Sequence, residues 1–165
     1  MKALIAIDIA PVKSPSKDAF LKYSQAMKEL SFPKDTSLAE AKSQAKSELA
    51  KSVPDEQVLD YLLTNLTLGD DGQVQWRDIL EAFLNNFEHL EFSYPEGGRP
   101  CTKPALFIFG EKSIHYSAEG LEKVKAIFPN AEIVTIKDAG HFLYDDKPAE
   151  FVAAVRRFCE GLDAS

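Results

Sequence analysis

The sequence has little cysteine, no cluster of basic residues and no long apolar run, and each absence excludes a class of protein. Its two cysteines, Cys101 and Cys159, are too few and too far apart for a metal cluster or a disulfide framework. We therefore expect two free thiols and an intracellular, reducing compartment. No apolar run approaches the ~20 residues that span a bilayer, so we predict no membrane span. The first residues also lack the cleavage pattern of a secretory signal.

The charge balance argues against nucleic acid as a partner. The formal net charge is −7, and the lysines are scattered among acidic residues, whereas phosphate binding depends on clustered Lys and Arg. A chain of 165 residues with 45% hydrophobic and 27% charged residues is typical of a globular protein with one core. We predict no metal and no cofactor. A dinucleotide-binding domain is excluded because no glycine-rich turn follows any predicted strand.

Three apolar segments rich in β-branched or aromatic residues predict β-strands. They span residues 3–9, 105–109 and 131–136, and near-continuous apolar runs are typical of strands covered on both faces of a parallel sheet. A helical pattern over residues 117–128 lies between the last two strands and completes a βαβ unit. A final amphipathic helix begins at Pro148 and runs to about Leu162. The predicted fold class is therefore α/β, with parallel strands and flanking helices.

A long segment of different composition separates the first strand from the second. It is rich in Lys, Ser, Glu, Ala and Leu and shows no convincing strand, so we predict a helical insertion. Four helices are expected: over residues 16–30, after Ser37 with Glu40 completing a capping box, from Asp55 to Leu66, and over residues 79–90. The predicted organisation is a core of residues 1–12 and 100–165 with an insertion of residues 13–99.

Polar residues follow each of the three predicted strands. Asp8 ends the first strand, residues 111–113 follow the second, and His141 follows the third. Because the carboxyl ends of parallel strands meet at one edge, we expect an acid and a histidine to meet there, as activation of a nucleophile requires. The alternatives are a helix cap or ion pair for Asp8 and a structural cap for His141. His115 is a candidate for lining a pocket, whereas His89 is expected at the surface or in the core of an insertion helix.

Four elements together resemble one branch of the α/β hydrolases. They are residues 4–12 (LIAIDIAPV), 104–110 (PALFIFG) with Ser113 and Tyr116 after them, 128–131 (FPNA) and 139–141 (AGH). This branch comprises small bacterial esterases and the mitochondrial abhydrolase domain-containing protein eleven. The resemblance covers essentially the whole chain, as the C-terminal half of the fold. The order IDIAPV, helical insertion, AGH is specific, whereas AGH alone is common to many hydrolases.

The resemblance implies that Asp8 is the acid and His141 the base of a catalytic triad. Many other α/β hydrolases place the acid where this chain has Ser113, which favours Asp8 and leaves Glu111 as a minor candidate. It also implies that residues 13–99 are a helical cap, that small acyl esters are the substrates, and that the location is mitochondrial in a eukaryote and cytoplasmic otherwise. The candidate substrate-binding residues are Trp76, Phe83, Ser113 and His115. Ordinary cap packing is the alternative for Trp76 and Phe83.

The resemblance also identifies a part of the family's machinery that this sequence does not contain. In the family, the serine of a Gly-x-Ser-x-Gly elbow precedes the Asp strand, and no such motif occurs in the chain. We therefore expect a truncated gene product or an incomplete gene model that is inactive alone, with an exposed first strand prone to association; a partner chain that supplies the other half is the alternative. Two hypotheses remain. The chain is either the acid- and base-bearing half of an esterase or thioesterase, or a catalytically inactive fragment or binding module.

Overall fold

The computed structural model describes residues 2–90 and 99–163, which form two units. The sheet unit consists of Met1–Pro15 and Phe92–Ser165, and the helical unit consists of Ser16–Glu91. The last part of the predicted insertion, residues 91–98, lies outside the described residues. In chain order the elements are β1 (Leu4–Ile7), α1 (Lys17–Glu29), α2 (Leu38–Leu49), α3 (Glu56–Leu63), β2 (Leu66–Leu68), β3 (Val74–Trp76), α4 (Ile79–Asn86), a 3₁₀ turn (Phe87–His89), β4 (Ala105–Gly110), α5 (Ala118–Ile127), β5 (Ala131–Ile136), α6 (Leu143–Asp146) and α7 (Pro148–Asp163).

A parallel sheet with strand order β1-β4-β5 lies at the centre of the sheet unit. Strand β4 pairs on both sides, with Ile108 opposite Ile7 of β1 and Val134 of β5. All six residues of β4 are buried, which explains why its sequence is apolar throughout rather than alternating. The predicted α/β class with parallel strands is confirmed.

Apolar clusters cover the two faces of this sheet. Alternate residues of a strand point to opposite faces, so β4 contributes to both clusters. One cluster joins the sheet to α6 and α7 and contains Leu106, Ile108, Ile136, Ala139, Leu143, Ala154 and Phe158. The other joins it to α5 and contains Ala105, Phe107, Phe109, Val124 and Phe128. The sheet is thereby held between helices, with its carboxyl edge left for polar residues.

The helical unit has its own core and the predicted capping box. Its buried residues come from α1 to α4, β2 and the loop between α2 and α3, and comprise Met27, Ala45, Leu49, Val53, Leu59, Leu63, Leu66 and Leu80. The Ser37 hydroxyl accepts a hydrogen bond from the Glu40 amide at 3.2 Å, and the Glu40 carboxylate accepts one from the Ser37 amide at 3.0 Å. Asp55 is the N-cap of α3, and its carboxylate accepts hydrogen bonds from the amides of Gln57 and Val58. None of the described helices is both long enough and apolar enough to cross a membrane.

The expectation that residues between the first and second predicted strands contain no strand is wrong. Strands β2 and β3 form an antiparallel hairpin in which Leu66 lies opposite Trp76. Each strand has only three residues, too few to show alternation clearly, and Gly72 adopts a φ of 76° that the turn requires. Because Leu66 belongs to this hairpin, α3 ends at Leu63 rather than at Leu66. The fourth helix likewise ends at Asn86 and continues as a 3₁₀ turn, and the short helix α6 was not predicted.

The capping box predicts a measurable stability effect in the helical unit. We expect Ser37→Ala to lower the free energy of unfolding by about 0.5–2 kcal/mol, because it removes the acceptor for an otherwise orphaned amide. Ser47→Ala, at an exposed position within α2, is the matched control and should change it by less than about 0.5 kcal/mol. Urea denaturation followed by circular dichroism measures both variants. Equal effects of the two substitutions would contradict the prediction.

Candidate functional site

Asp8 lies directly after β1, at the carboxyl edge of the sheet. Its amide donates to the Ile108 carbonyl at 2.7 Å, which extends the pairing with β4 by one residue. Its φ of 50° is in the left-handed region, which Asp tolerates better than most residues but at a cost in conformational energy. Only 1% of the residue is exposed. The backbone therefore turns at Asp8 and carries a carboxylate into the interior.

The buried Asp8 carboxylate is hydrogen-bonded on both oxygens. The Gly110 amide donates to Oδ1 at 3.1 Å, and the Ser113 hydroxyl donates to Oδ2 at 2.5 Å. The same Oδ2 lies 2.6 Å from Nδ1 of His141. Burying a charge is costly unless it is paired and hydrogen-bonded. Donors from the loops after β4 and β5 meet that requirement here and fix the orientation of the carboxylate.

His141 follows β5 and combines one buried contact with an exposed ring. Its side chain is 45% exposed while that of Asp8 is inaccessible. An ionised carboxylate can only accept hydrogen bonds, so Nδ1 carries the proton in this contact and Nε2 is the remaining ring nitrogen. In neutral imidazole Nε2 is then an acceptor. The pair can thus accept a proton at Nε2 and stabilise the resulting imidazolium through Asp8.

The loops after β4 and β5 are held against each other by backbone contacts. The amide of Glu111 donates to the Ile136 carbonyl at 3.0 Å, and that of Lys112 to the Ala139 carbonyl at 2.9 Å. A Cβ added to Gly110 would lie 2.1 Å from the Gly140 carbonyl oxygen, so only glycine fits this approach. This close approach of the two backbones places Gly110 and Ser113 beside the segment that carries His141.

Two surface contacts of Asp138 add to this arrangement. Its carboxylate pairs with the Lys112 ammonium at 2.8 Å, and its amide donates to the Glu111 carboxylate at 3.0 Å. The ion pair raises the pKa of Lys112 and lowers the pKa of Asp138, mainly through the hydrogen bond between them. Both side chains are more than half exposed, so the pair adds little to stability. The carboxylate of Glu111, the minor candidate for the acid, thus accepts a hydrogen bond from the Asp138 amide.

Ser113 and His115 complete the group of side chains around Asp8. Ser113 is buried, and its hydroxyl accepts a hydrogen bond from the His115 amide at 3.1 Å while donating to Asp8. The ring of His115 lies 4.9 Å from that of His141, centroid to centroid. Burial lowers the pKa of His115, and the neighbouring His141 lowers it further, while Asp8 acts in the opposite direction. The structure thus brings together Asp8, Ser113, His115 and His141.

The other two candidates, Trp76 and Phe83, lie in the helical unit. Trp76 ends β3 and packs against the core of that unit, with its ring 6.3 Å from Phe32. Its buried Nε1 has no hydrogen-bond partner among the described residues. Phe83 lies on α4 in edge-to-face contact with Phe87 at 5.5 Å. Both have packing partners within their own unit, and His89 is exposed on the 3₁₀ turn of the same unit.

Sequence reasoning missed two residues that support the site. Asp146, at the end of α6, accepts a hydrogen bond from the Gly140 amide at 2.7 Å and so fixes the residue before His141. Gly110 supplies an amide to Asp8 and the space for Gly140. A glycine at the end of a buried strand was a signal of close backbone approach. No sequence signal identified Asp146.

Comparison with characterised proteins reveals similarity to esterases and lipases. No family model matches the chain. It is 33% identical over 160 residues to the sn-1-specific diacylglycerol lipase ABHD11 of Danio rerio, covering 97% of this chain and 50% of that protein. It is 29% identical over 157 residues to esterase YbfF of Escherichia coli, covering 94% of this chain and 56% of that protein. The chain spans about half the length of these curated relatives.

Solved structures show the same relationship. A marine microorganism esterase superposes with a TM-score of 0.81 at 30% identity, over 95% of this chain and 60% of that one. An E-2-(acetamidomethylene)succinate hydrolase superposes with a TM-score of 0.59 at 18% identity, over 97% of this chain and 58% of that one, which supports the fold alone. The chain therefore shares the α/β fold of these proteins and spans about 60% of the length of each solved chain.

The close approach at Gly110 predicts a steric effect that a second glycine controls. Gly110→Ala keeps the amide that donates to Asp8, but its Cβ must displace the Gly140 backbone. We expect a loss of about 1–3 kcal/mol in the free energy of unfolding, as for other overpacked sites. Gly161→Ala in α7, where an added Cβ has no neighbour within 4 Å, should instead gain up to about 1 kcal/mol. Chemical denaturation measures both, and a neutral Gly110→Ala would contradict the packing described.

The lowered pKa of His115 predicts a pH dependence of stability. His115 takes up a proton less readily in the folded chain than in the unfolded one, whose value is near 6.5. The unfolded chain therefore binds more protons just below that pH, and the free energy of unfolding must fall as the pH falls below it. His115→Asn should make this decline shallower. Denaturation curves at about pH 7.5 and about pH 5.5 test this, and identical declines for wild type and variant would refute it.

Proposed function

The chain belongs to the α/β-hydrolase superfamily, of whose fold it is the C-terminal half, and we propose that it supplies the acid and base of a carboxylic ester hydrolase. The observation that supports this most directly is the 2.6 Å contact between Asp8 Oδ2 and His141 Nδ1. It joins a buried acid to a half-exposed imidazole at the carboxyl edge of a parallel sheet, where α/β proteins bind ligands.

In the proposed mechanism, His141 is the general base and Asp8 its orienting acid. Nε2 accepts the proton of a serine hydroxyl as the oxygen attacks the ester carbonyl, and later returns that proton to the leaving alcohol. Asp8 keeps the proton of the neutral ring on Nδ1 and stabilises the imidazolium. Ser113 and Gly110 act as positioning residues, because their hydrogen bonds fix the carboxylate.

We further propose that the serine comes from a nucleophile-bearing half absent from this 165-residue sequence. The described part of the sheet supports this, since β1 pairs with β4 and has no second partner among the described strands. Ile7, the last residue of β1, is 40% exposed, and Ile9, two residues after the strand, is 59% exposed. An unpaired edge with apolar side chains is a template for another strand. The same edge supports the second candidate, a binding module that associates with a partner through β1.

The proposed substrates are small acyl esters. The zebrafish relative is named as a diacylglycerol lipase and the E. coli relative as an esterase, and a carboxylic ester is the chemistry that both names share. We propose the helical unit as the cap, with Trp76 and Phe83 as contacts for the acyl group and Ser113 and His115 as residues at the site. An intracellular location, mitochondrial in a eukaryote, is proposed from the family resemblance and the free thiols.

The proposal predicts a large catalytic effect of His141 and Asp8 in a reconstituted enzyme. The chain is joined to the serine-bearing half of a related esterase and assayed with short p-nitrophenyl esters. We expect His141→Ala and Asp8→Asn each to lower kcat by about 10⁴-fold, because the serine loses its proton acceptor or the correct tautomer. His89→Ala is the matched histidine control and should retain full activity.

The unfused chain completes the experiment. We expect the unfused chain to hydrolyse none of the esters. Its sedimentation should show association, because an unpaired β1 edge can pair with another chain. Activity that survives undiminished in His141→Ala would overturn the proposed base. A folded, soluble hybrid without activity, beside an unfused chain that forms a defined complex, would favour the binding module instead.

A further inference from the structure

The proposed acid and base, together with His115, form a set of three potential metal ligands, and the proposed hydrolysis does not require His115. Asp8, His115 and His141 each place one ligand atom within 4.8 Å of the other two. We propose that they form a site for a zinc ion or a similar transition-metal ion. This departs from the sequence analysis, which predicts no metal.

The donor set matches the chemistry of zinc rather than that of hard cations. Two imidazole nitrogens and one carboxylate oxygen, with a fourth position open to water, are a common arrangement around protein-bound zinc. Mg²⁺ and Ca²⁺ prefer oxygen ligands throughout, so two histidines disfavour them. Ligands around a tetrahedral zinc lie about 3.3 Å apart, given bonds of about 2.0–2.1 Å. No two of the three atoms are more than 4.8 Å apart, so a pair at that limit must close in by roughly 1.5 Å. His141 Nδ1, which is 2.6 Å from Asp8 Oδ2, must instead move slightly away if it is the ligand, and the exposed ring of His141 can make either movement.

The surroundings of the three ligands hold two of them in place. Gly110 and Ser113 fix the carboxylate of Asp8, and Ser113 also accepts a hydrogen bond from the amide of His115. Such outer contacts orient metal ligands and raise the affinity of a site. Because Asp8 is buried while the His141 ring is 45% exposed, an ion can enter from solvent on the His141 side.

A bound ion would inhibit the hydrolase, a consequence that rests on the proposed function. An ion on Nε2 of His141 occupies the lone pair that must accept the serine proton. An ion on Nδ1 replaces the hydrogen bond to Asp8 and leaves the ring proton on Nε2. In either case His141 can no longer act as the base, so zinc and substrate turnover exclude each other.

Calorimetric titration of the whole chain with zinc chloride tests the site directly. The background is the Cys101→Ser, Cys159→Ser chain, which removes both thiols. We expect a single zinc ion per chain, and a loss of affinity of about 10- to 100-fold or more in His115→Asn and in His141→Asn, since losing an outer contact alone costs that much. His89→Asn removes the third of the three histidines and should leave the affinity unchanged.

Thermal unfolding of each variant establishes that it is folded, and zinc should raise the Tm of the background and of His89→Asn only. The site is refuted if the folded background binds no zinc, or if His115→Asn binds it as tightly as the background does. Neither readout needs substrate. Zinc binding in a chain whose hybrid is inactive would count against the hydrolase alone, whereas an active hybrid without zinc binding would count against the metal site alone.

Discussion

A carboxylate buried at the end of a strand must be hydrogen-bonded, and the carboxyl edge of this sheet is built around that requirement. Asp8 is inaccessible to solvent and receives the Gly110 amide, the Ser113 hydroxyl and Nδ1 of His141. Removing one such partner from a buried charge typically costs several kcal/mol, on the order of 3–5. The need to satisfy Asp8 therefore couples β1 to the loops after β4 and β5. The same contacts leave Nε2 of His141 without a hydrogen-bond partner in the described part of the chain and bring His115 close.

The sheet unit was largely predictable because its signals are local and strong. Strand β4 is apolar at nearly every position since it is covered on both faces and paired on both edges. The capping box at Ser37 was readable from spacing alone. The hairpin of β2 and β3 could not be predicted in this way, because a strand of three residues is too short to show an alternating pattern. Its stability depends instead on Leu66 packing in the core of the helical unit.

The site was predictable only in part, for a physical reason. Parallel strands end at a common edge, so a sequence with Asp8 after one strand and His141 after another already implies that the two lie near each other. The position of Ser113 depends on a close approach of two backbones at Gly110 and Gly140. The glycine that ends β4 is a signal of such an approach, but it does not indicate which side chains the approach brings together. Ser113 was predicted as a substrate contact, and the hydrogen bond from its hydroxyl to Asp8 was not predicted. The position of His115 beside Asp8 and His141 was not predicted, because it depends on the path of the loop after β4.

The state of the His141 ring tests the central interaction most directly. Nuclear magnetic resonance of the chain labelled with ¹⁵N at histidine reports which ring nitrogen carries the proton and whether that proton is in a strong hydrogen bond. The structure predicts a proton on Nδ1 of His141, with a far-downfield proton resonance that disappears in Asp8→Ala and persists in His115→Asn. A ring without a proton on Nδ1, or a spectrum unaffected by Asp8→Ala, would contradict the account.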